Sequence, residues 1–201
     1  MFVWLTAQGG YFLLWLSFGL GHSLLAGDRS PLRVVGRWQR LSYNLLAAVH
    51  LVVVIVGGHL LLDTRAFVWS PVMLWVRTAA VGVGLLVLIL SLRQYDLRRF
   101  AGFRQIGDRD GEAETPEPLH ISGLNRYVRH PLYVGSILLL LGIADSEFGL
   151  ATALWASVYF IVGSRVEERR LVAMYGADYE RYRRKTPAFI PRLVRRRVGY
   201  R

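Results

Sequence analysis

The 201-residue chain contains no cysteine. Disulfides, thiolate metal sites and a cysteine nucleophile are therefore excluded, and no metal centre is expected. Lysine is almost missing as well: Lys185 is the only one, and the other 24 of the 25 basic residues are arginine. That bias reflects genomic base composition more than mechanism. Acidic residues number only 14, which leaves a net charge of +11. Charged residues make up 19% of the chain against 53% hydrophobic, with a mean hydropathy of +0.32. This is too apolar for an ordinary soluble domain, and the length suits one compact domain. In so apolar a chain, the basic excess is explained by the positive-inside rule rather than by nucleic-acid binding. There is no internal repeat and no low-complexity tract.

Apolar stretches fall at about 2–26, 41–62, 72–92, 131–144 and 148–164. A helix rises about 1.5 Å per residue and the hydrocarbon core is roughly 30 Å thick, so about 20 residues span it. The first three stretches meet that length. The last two are shorter, are separated by Asp145-Ser146-Glu147, and read as a tight helical hairpin. The expected fold is therefore all-α, with about five transmembrane helices and an amphipathic helix from about 165. The prolines of Thr186-Pro187-Ala188-Phe189-Ile190-Pro191 end that last helix. The first stretch lacks a basic segment before it, so it reads as a span and not as a signal peptide. Of the 25 basic residues, 23 lie in 27–40, 93–131 and 163–201; only Arg65 and Arg77 lie elsewhere, where Asp145 and Glu147 are available to them. Five spans, with the N-terminus outside and the C-terminus cytoplasmic, put all three basic segments on one side. The expected location is the bacterial inner membrane. Arg192 to Arg201 should contact anionic lipid, and no obligate protein partner is evident.

Polar groups recur at one depth. His22 and Ser23 are near the end of span one, Asn44 near the start of span two, and Arg93, Gln94 and Asp96 at the end of span three. His130 opens span four, and Arg165, Glu167 and Glu168 close span five. Intramembrane polar groups usually face protein or water, so the pattern suggests a cytoplasm-facing cavity. The plainer alternative is interfacial snorkelling. Arg77 reads as such an anchor, and His50 and His59 as structural.

Two clusters carry chemistry. In RYVRHPLYVGS (126–136), Pro131 suits the first helical position, which makes His130 the N-cap and leaves the amides of Leu132 to Val134 unpaired. Such a helix start, with Arg126 and Arg129 beside it, favours an anion, and Gly135 permits close approach of another backbone. The same residues also suit a helix that simply begins against lipid phosphates. The second cluster is Glu167-Glu168. On one continuous helix Glu168, Tyr175, Tyr179 and Tyr182 share a face. It suits a cationic or hydroxyl-bearing ligand, or else an aromatic belt with solvated acids.

Arg129-His130-Pro131-Leu132-Tyr133-Val134-Gly135 resembles an RHPxYxG motif, and Glu167-Glu168 supplies the EE pair about 30 residues on. The stretch EERRLVAMYGADYERYRRKTPAFIP resembles the ending of the same family. It is the integral-membrane methyltransferase superfamily of isoprenylcysteine carboxyl methyltransferases and phospholipid methyltransferases. The resemblance covers roughly 119–191. More faintly, HSLLA (22–26) and RLSYNLLA (40–47) resemble bacterial relatives, methanethiol S-methyltransferases among them.

The resemblance implies S-adenosylmethionine (SAM) as cofactor, held by Leu119, His120, Ile121, His130, Pro131, Tyr133, Gly135, Glu167, Tyr175 and Tyr179. It implies catalytic roles for Glu168, Arg165 and Arg129, with the spacing of Arg165 shifted. Asn125 departs from the tyrosine common in the family. His22, Asn44 and Arg93 are candidates for the acceptor side. On this reading 1–201 is one integral-membrane domain: a three-span front half, 1–92, lines the acceptor pocket, and 93–201 binds the cofactor. The methyl acceptor would be lipophilic or small and apolar: an isoprenylcysteine-like carboxylate, a phospholipid amine or a small thiol. The competing readings are an NADPH-dependent membrane reductase of sterol-reductase type and a non-catalytic membrane scaffold.

Overall fold

The computed structural model describes residues 1–26, 30–94, 96–107 and 118–192. Within them α1 is Phe2–Ala26, α2 Gln39–Leu61, α3 Pro71–Leu92, α4 Leu97–Ala101, α5 Phe103–Gly107, α6 Pro131–Ile143, α7 Glu147–Tyr175 and α8 Ala177–Lys185. A 3-10 segment, Pro31–Trp38, leads into α2, and a second, Gly123–Arg126, precedes α6. No strand occurs among the described residues.

Polar side chains set the helix starts. Ser70 accepts the Met73 amide at 3.3 Å ahead of Pro71, Ser146 accepts the Gly149 amide at 3.2 Å, and Asp96 accepts the amides of Arg98 and Arg99 at 3.1 Å each. Each supplies an acceptor that the first turn of a helix lacks.

Four helical stretches are long and apolar enough to cross a membrane: Phe2–Ala26, Val34–Leu61, Pro71–Leu92 and Glu147–Tyr175. The expected pair of short final helices is half right. Helix α6 has 13 residues, roughly 20 Å of rise, whereas α7 runs unbroken for 29 residues, roughly 43 Å. The apolar run of span five ends near residue 164, but nothing between there and Tyr175 breaks a helix. Gly176 does so, at φ 55°. The last turns of α7, with Glu167 and Glu168, therefore extend past a hydrocarbon layer of about 30 Å.

The core is built on one face of α1. Tyr11, Trp15 and Phe18, at spacings of four and three, are buried against Val54 of α2 and Ala151 and Ala156 of α7. Tyr11 is fully buried, and its hydroxyl hydrogen-bonds to the Thr152 hydroxyl at 2.8 Å. The loop between α2 and α3 is laced to the α6–α7 turn: the Phe67 amide donates to the Asp145 carbonyl at 2.6 Å, and the Phe148 amide to the Asp63 carbonyl at 3.0 Å. Glu147 accepts from Gln8 at 2.7 Å and is thus engaged by α1, not by Arg65 or Arg77. Arg77 is not a snorkelling anchor. Its Nε donates to the Gly142 carbonyl at 3.2 Å, and its guanidinium lies over the Trp69 ring. The last turn of α6 exposes unpaired carbonyls, and a guanidinium satisfies one.

The short α6 is held chiefly by α3. A Cβ on Gly84 would lie 2.7 Å from the Leu139 amide nitrogen and 2.9 Å from the Gly135 carbonyl oxygen. One on Gly135 would lie 3.0 Å from the Gly84 carbonyl oxygen, and one on Gly142 2.8 Å from the Val81 amide nitrogen. Small residues let the two backbones touch, which is how apolar helices associate in lipid without a hydrophobic driving force. Gly84→Ala should lower stability by about 1–3 kcal/mol. Gly82→Ala on the same helix, with nothing within 4 Å of its Cβ, should be neutral or slightly stabilising. Thermal unfolding of both variants in detergent checks the difference.

Candidate active site

The start of α6, the Glu167-Glu168 turn of α7 and the segment after α8 meet in one place. Pro131 occupies the first helical position of α6 and His130 is the N-cap, both buried, as the sequence predicts. The unpaired amides are fewer than expected, because the Val134 N–H already donates to the His130 carbonyl at 3.1 Å. The residues before α6 are tied to the segment following α8. The Arg129 amide donates to the Pro187 carbonyl at 2.9 Å and the His130 amide to the Ala188 carbonyl at 3.1 Å.

Glu168 is the hub. Its Oε1 accepts from Arg129 Nε at 2.9 Å, Arg129 Nη2 at 2.6 Å and His130 Nε2 at 2.9 Å. A carboxylate partner assigns the imidazole proton to Nε2. The Arg129 and Glu168 side chains are only 11% and 13% exposed. Arg129 Nη1 donates onward to the carbonyls of Arg183 and Thr186. Arg129 is thus not a free cation at a helix start. Its charge is spent on Glu168 and its two Nη1 protons on the end of α8.

Glu167 is different. Its side chain is 45% exposed, Oε2 accepts the Tyr133 hydroxyl at 2.9 Å, and His130 Nδ1 lies 3.6 Å from the same oxygen. Arg129 pairs with Glu168, while the half-exposed Glu167 carboxylate accepts from the Tyr133 hydroxyl. The His130 ring stacks with Tyr133 and Phe189, with centroids 5.4 and 5.6 Å away, and Tyr133 stacks with Phe160 at 5.1 Å.

The anticipated tyrosine face is broken. Gly176 turns the chain between α7 and α8, so Tyr175 and Tyr179 stand on different helices. Tyr179 is nevertheless brought in, 1% exposed. Burial, reinforced by the neighbouring Glu168 carboxylate, pushes its pKa up to about 12, so it stays protonated. Its hydroxyl proton has no acceptor among the described residues, a condition that costs about 1–3 kcal/mol in a closed interior. Tyr182 donates to the Asn125 carbonyl at 2.6 Å, and Asn125 Nδ2 to the His120 carbonyl at 3.1 Å. Asn125 thus links α8 to the Leu119–Ile121 segment. In that segment Leu119 is half-buried, while His120 and Ile121 are exposed.

Other predicted residues lie apart. Arg165 is exposed, and Gly135 is committed to the contact with α3. Asn44 Nδ2 donates to the Ala101 carbonyl at 3.1 Å, tying α2 to α4. Arg93 is exposed at the C-cap of α3. His22 lies in a separate polar cluster with Tyr43 and Tyr159. The basic tail from 193 onward and residues 108–117 of the polar loop fall outside the described residues. Sequence reasoning missed Phe160 and Phe189, whose only signal is their aromatic character beside the motif.

The family model described as phospholipid methyltransferase matches residues 76–178, just over half of the chain. The chain belongs to the phospholipid methyltransferase family. Membership makes it an integral-membrane methyltransferase. Among similar proteins, methanethiol S-methyltransferase 2 of Bradyrhizobium diazoefficiens is 29% identical over 92% of this chain and 73% of its own length. Methanethiol S-methyltransferase of Crocosphaera subtropica is 36% identical over 53% of this chain and 41% of its own. Protein-S-isoprenylcysteine O-methyltransferase of Schizosaccharomyces pombe is 39% identical over 34% of this chain and 31% of its own. No solved structure gives a significant match.

Removing the hub carboxylate should be costly. Glu168→Ala leaves a buried guanidinium without its partner and should destabilise the protein by about 3–5 kcal/mol, whereas Arg165→Ala should change stability by less than about 0.5 kcal/mol. Denaturant unfolding in micelles compares the two; equal effects would remove the hub role.

Proposed function

We propose that SAM binds where α6, α7 and the segment after α8 meet, and that its methyl group goes to a small thiol acceptor. The observation that carries the reading is the pair of adjacent carboxylates with unequal duties. Glu168 is saturated by Arg129 and His130, while Glu167 is half-exposed and accepts from the Tyr133 hydroxyl. A cationic cofactor with hydroxyl groups fits that half-exposed carboxylate, and the buried Tyr179 hydroxyl offers a donor without an acceptor. His130, Tyr133, Glu167 and Tyr179 would hold the cofactor, with Leu119 to Ile121 flanking it. Pro131 would serve by opening the helix there, and Tyr175, half-buried at the end of α7, would border the site.

SAM supplies an electrophilic methyl carbon that needs only an in-line nucleophile. The chain's task is therefore positioning and water exclusion. Arg129 and Glu168 act by fixing the His130 ring and the segment after α8, and the stacked rings of Tyr133, Phe160 and Phe189 keep the neighbourhood apolar.

Coverage favours a thiol among the acceptors. The Bradyrhizobium relative aligned over 92% of the chain, and so over most of the first three long helices, is named for a thiol, whereas the isoprenylcysteine enzyme aligns over 34%. The helices of residues 1–92 would then line the acceptor pocket, and the acceptor would enter from the bilayer. The arginine distribution supports a bacterial inner-membrane protein with its C-terminus in the cytoplasm.

Purified protein given methyl-labelled SAM should convert methanethiol to dimethyl sulfide, measured in the headspace. Glu167→Gln should weaken saturable SAM binding by about tenfold, the worth of one charge-assisted hydrogen bond. Label appearing in a phospholipid amine or an isoprenylcysteine carboxylate, and not in the thiol, would refute the acceptor. Absence of saturable SAM binding would refute the reaction class.

A further inference from the structure

His22 of α1 is hydrogen-bonded on both ring nitrogens. The Tyr43 hydroxyl of α2 meets Nε2, and the Tyr159 hydroxyl of α7 meets Nδ1 at 3.0 Å. A neutral imidazole has one N–H and one lone pair. Between two phenols it can therefore accept a proton at one nitrogen and release one from the other. Packing alone does not require this arrangement, since the neighbouring Trp15 and Phe18 fill the same face of α1 with apolar rings. The triad is joined to the methyl-transfer site by contiguous aromatic rings. Tyr159 lies 5.7 Å from Phe160, Phe160 stacks on Tyr133 at 5.1 Å, and Tyr133 donates to Glu167.

We propose that the Tyr43–His22–Tyr159 triad takes up the proton that a thiol acceptor loses on methylation. The inference rests on the thiol reading above. In the step, the acceptor S–H bond breaks and its proton passes to a phenol oxygen, whose own proton moves to the imidazole. The freed sulfur pair forms the new S–CH3 bond, and the old bond from methyl carbon to sulfonium breaks with its electron pair retained by the departing sulfur. A neutral thioether leaves, and the extra proton sits on the triad. The groups that bear on the triad are Arg170 on α7, which acts on both His22 and Tyr43, and Arg40 at the start of α2, which acts on Tyr43. His50, paired with Ser17 at 3.1 Å, lies across Phe18. Both nearby charges are positive, so the proton is handed on to water at the membrane face and not stored. A carboxylate acceptor would need no such device, because it has no proton to lose.

The test uses the full-length protein in micelles with two acceptors. Methanethiol is largely protonated at neutral pH, and an electron-poor aromatic thiol is largely thiolate. With methanethiol at pH 7, His22→Gln should lower kcat/KM by about a hundredfold, the usual worth of a positioned base. The residual rate should rise about tenfold per pH unit, following the thiolate fraction. With the aromatic thiol the same variant should lose less than about threefold, since no base is then needed. Tyr43→Phe and Tyr159→Phe keep both rings and should show the same acceptor dependence. Equal losses on both acceptors, or no loss on either, overturn the relay while leaving the proposed reaction intact. A wild-type protein that methylates neither thiol overturns the proposed acceptor and the relay together.

Discussion

Glu168 Oε1 gathers three donors from two consecutive residues, Arg129 and His130, and the rest of the site is organised around that one oxygen. A buried carboxylate is tolerated only when its charge is matched and its lone pairs are filled. Meeting that condition draws the start of α6 onto α7. Arg129 then has protons left over, and they fix the end of α8 through the Arg183 and Thr186 carbonyls. The two backbone bonds to Pro187 and Ala188 follow from the same placement and bring Phe189 onto His130. Glu167, next in line, stays half-exposed and accepts the Tyr133 hydroxyl.

The position of the hub depends on α6 being short and tightly docked. At 13 residues it cannot cross the hydrocarbon layer unaided. Its depth is set by α3, through backbone contact at Gly84, Gly135 and Gly142, and by Arg77 bonding its last turn. A longer α6 would carry His130 out of reach of Glu168 or require α7 to move with it. The long α7 supplies the rest. It packs on α1 in its first half and extends beyond the apolar layer in its second.

Adjacent residues of α7 serve two neighbourhoods. Successive helical positions point about 100° apart, so Tyr159 turns to His22 while Phe160 turns to Tyr133. That divergence makes α7 the wall shared by the proposed cofactor side and the front helices. The proposed proton relay thereby lies one aromatic layer from the proposed methyl donor.

Much of this was legible in the residues alone. Hydropathy gave the long helices, and Pro131 after His130 marked a helix start because proline lacks the amide that position leaves unpaired. The RHPxYxG and EE motifs pointed to the family because their residue types and spacing are specific. Local pattern did not decide partners. Arg129 read as a ligand for anions until Glu168, 39 residues on, was placed 2.6 Å from it. Arg77 read as a lipid anchor until Gly142 was brought beside it, and Gly135 as open to another backbone, which the fold identifies as that of α3. The tyrosine face assumed a continuous helix, which Gly176 breaks. His22 could be suspected but not assigned, because both its partners come from other helices. Composition and motif determine which chemistry the chain carries. Which charges cancel, and which remain for a ligand, is decided only when distant segments are brought within hydrogen-bond distance.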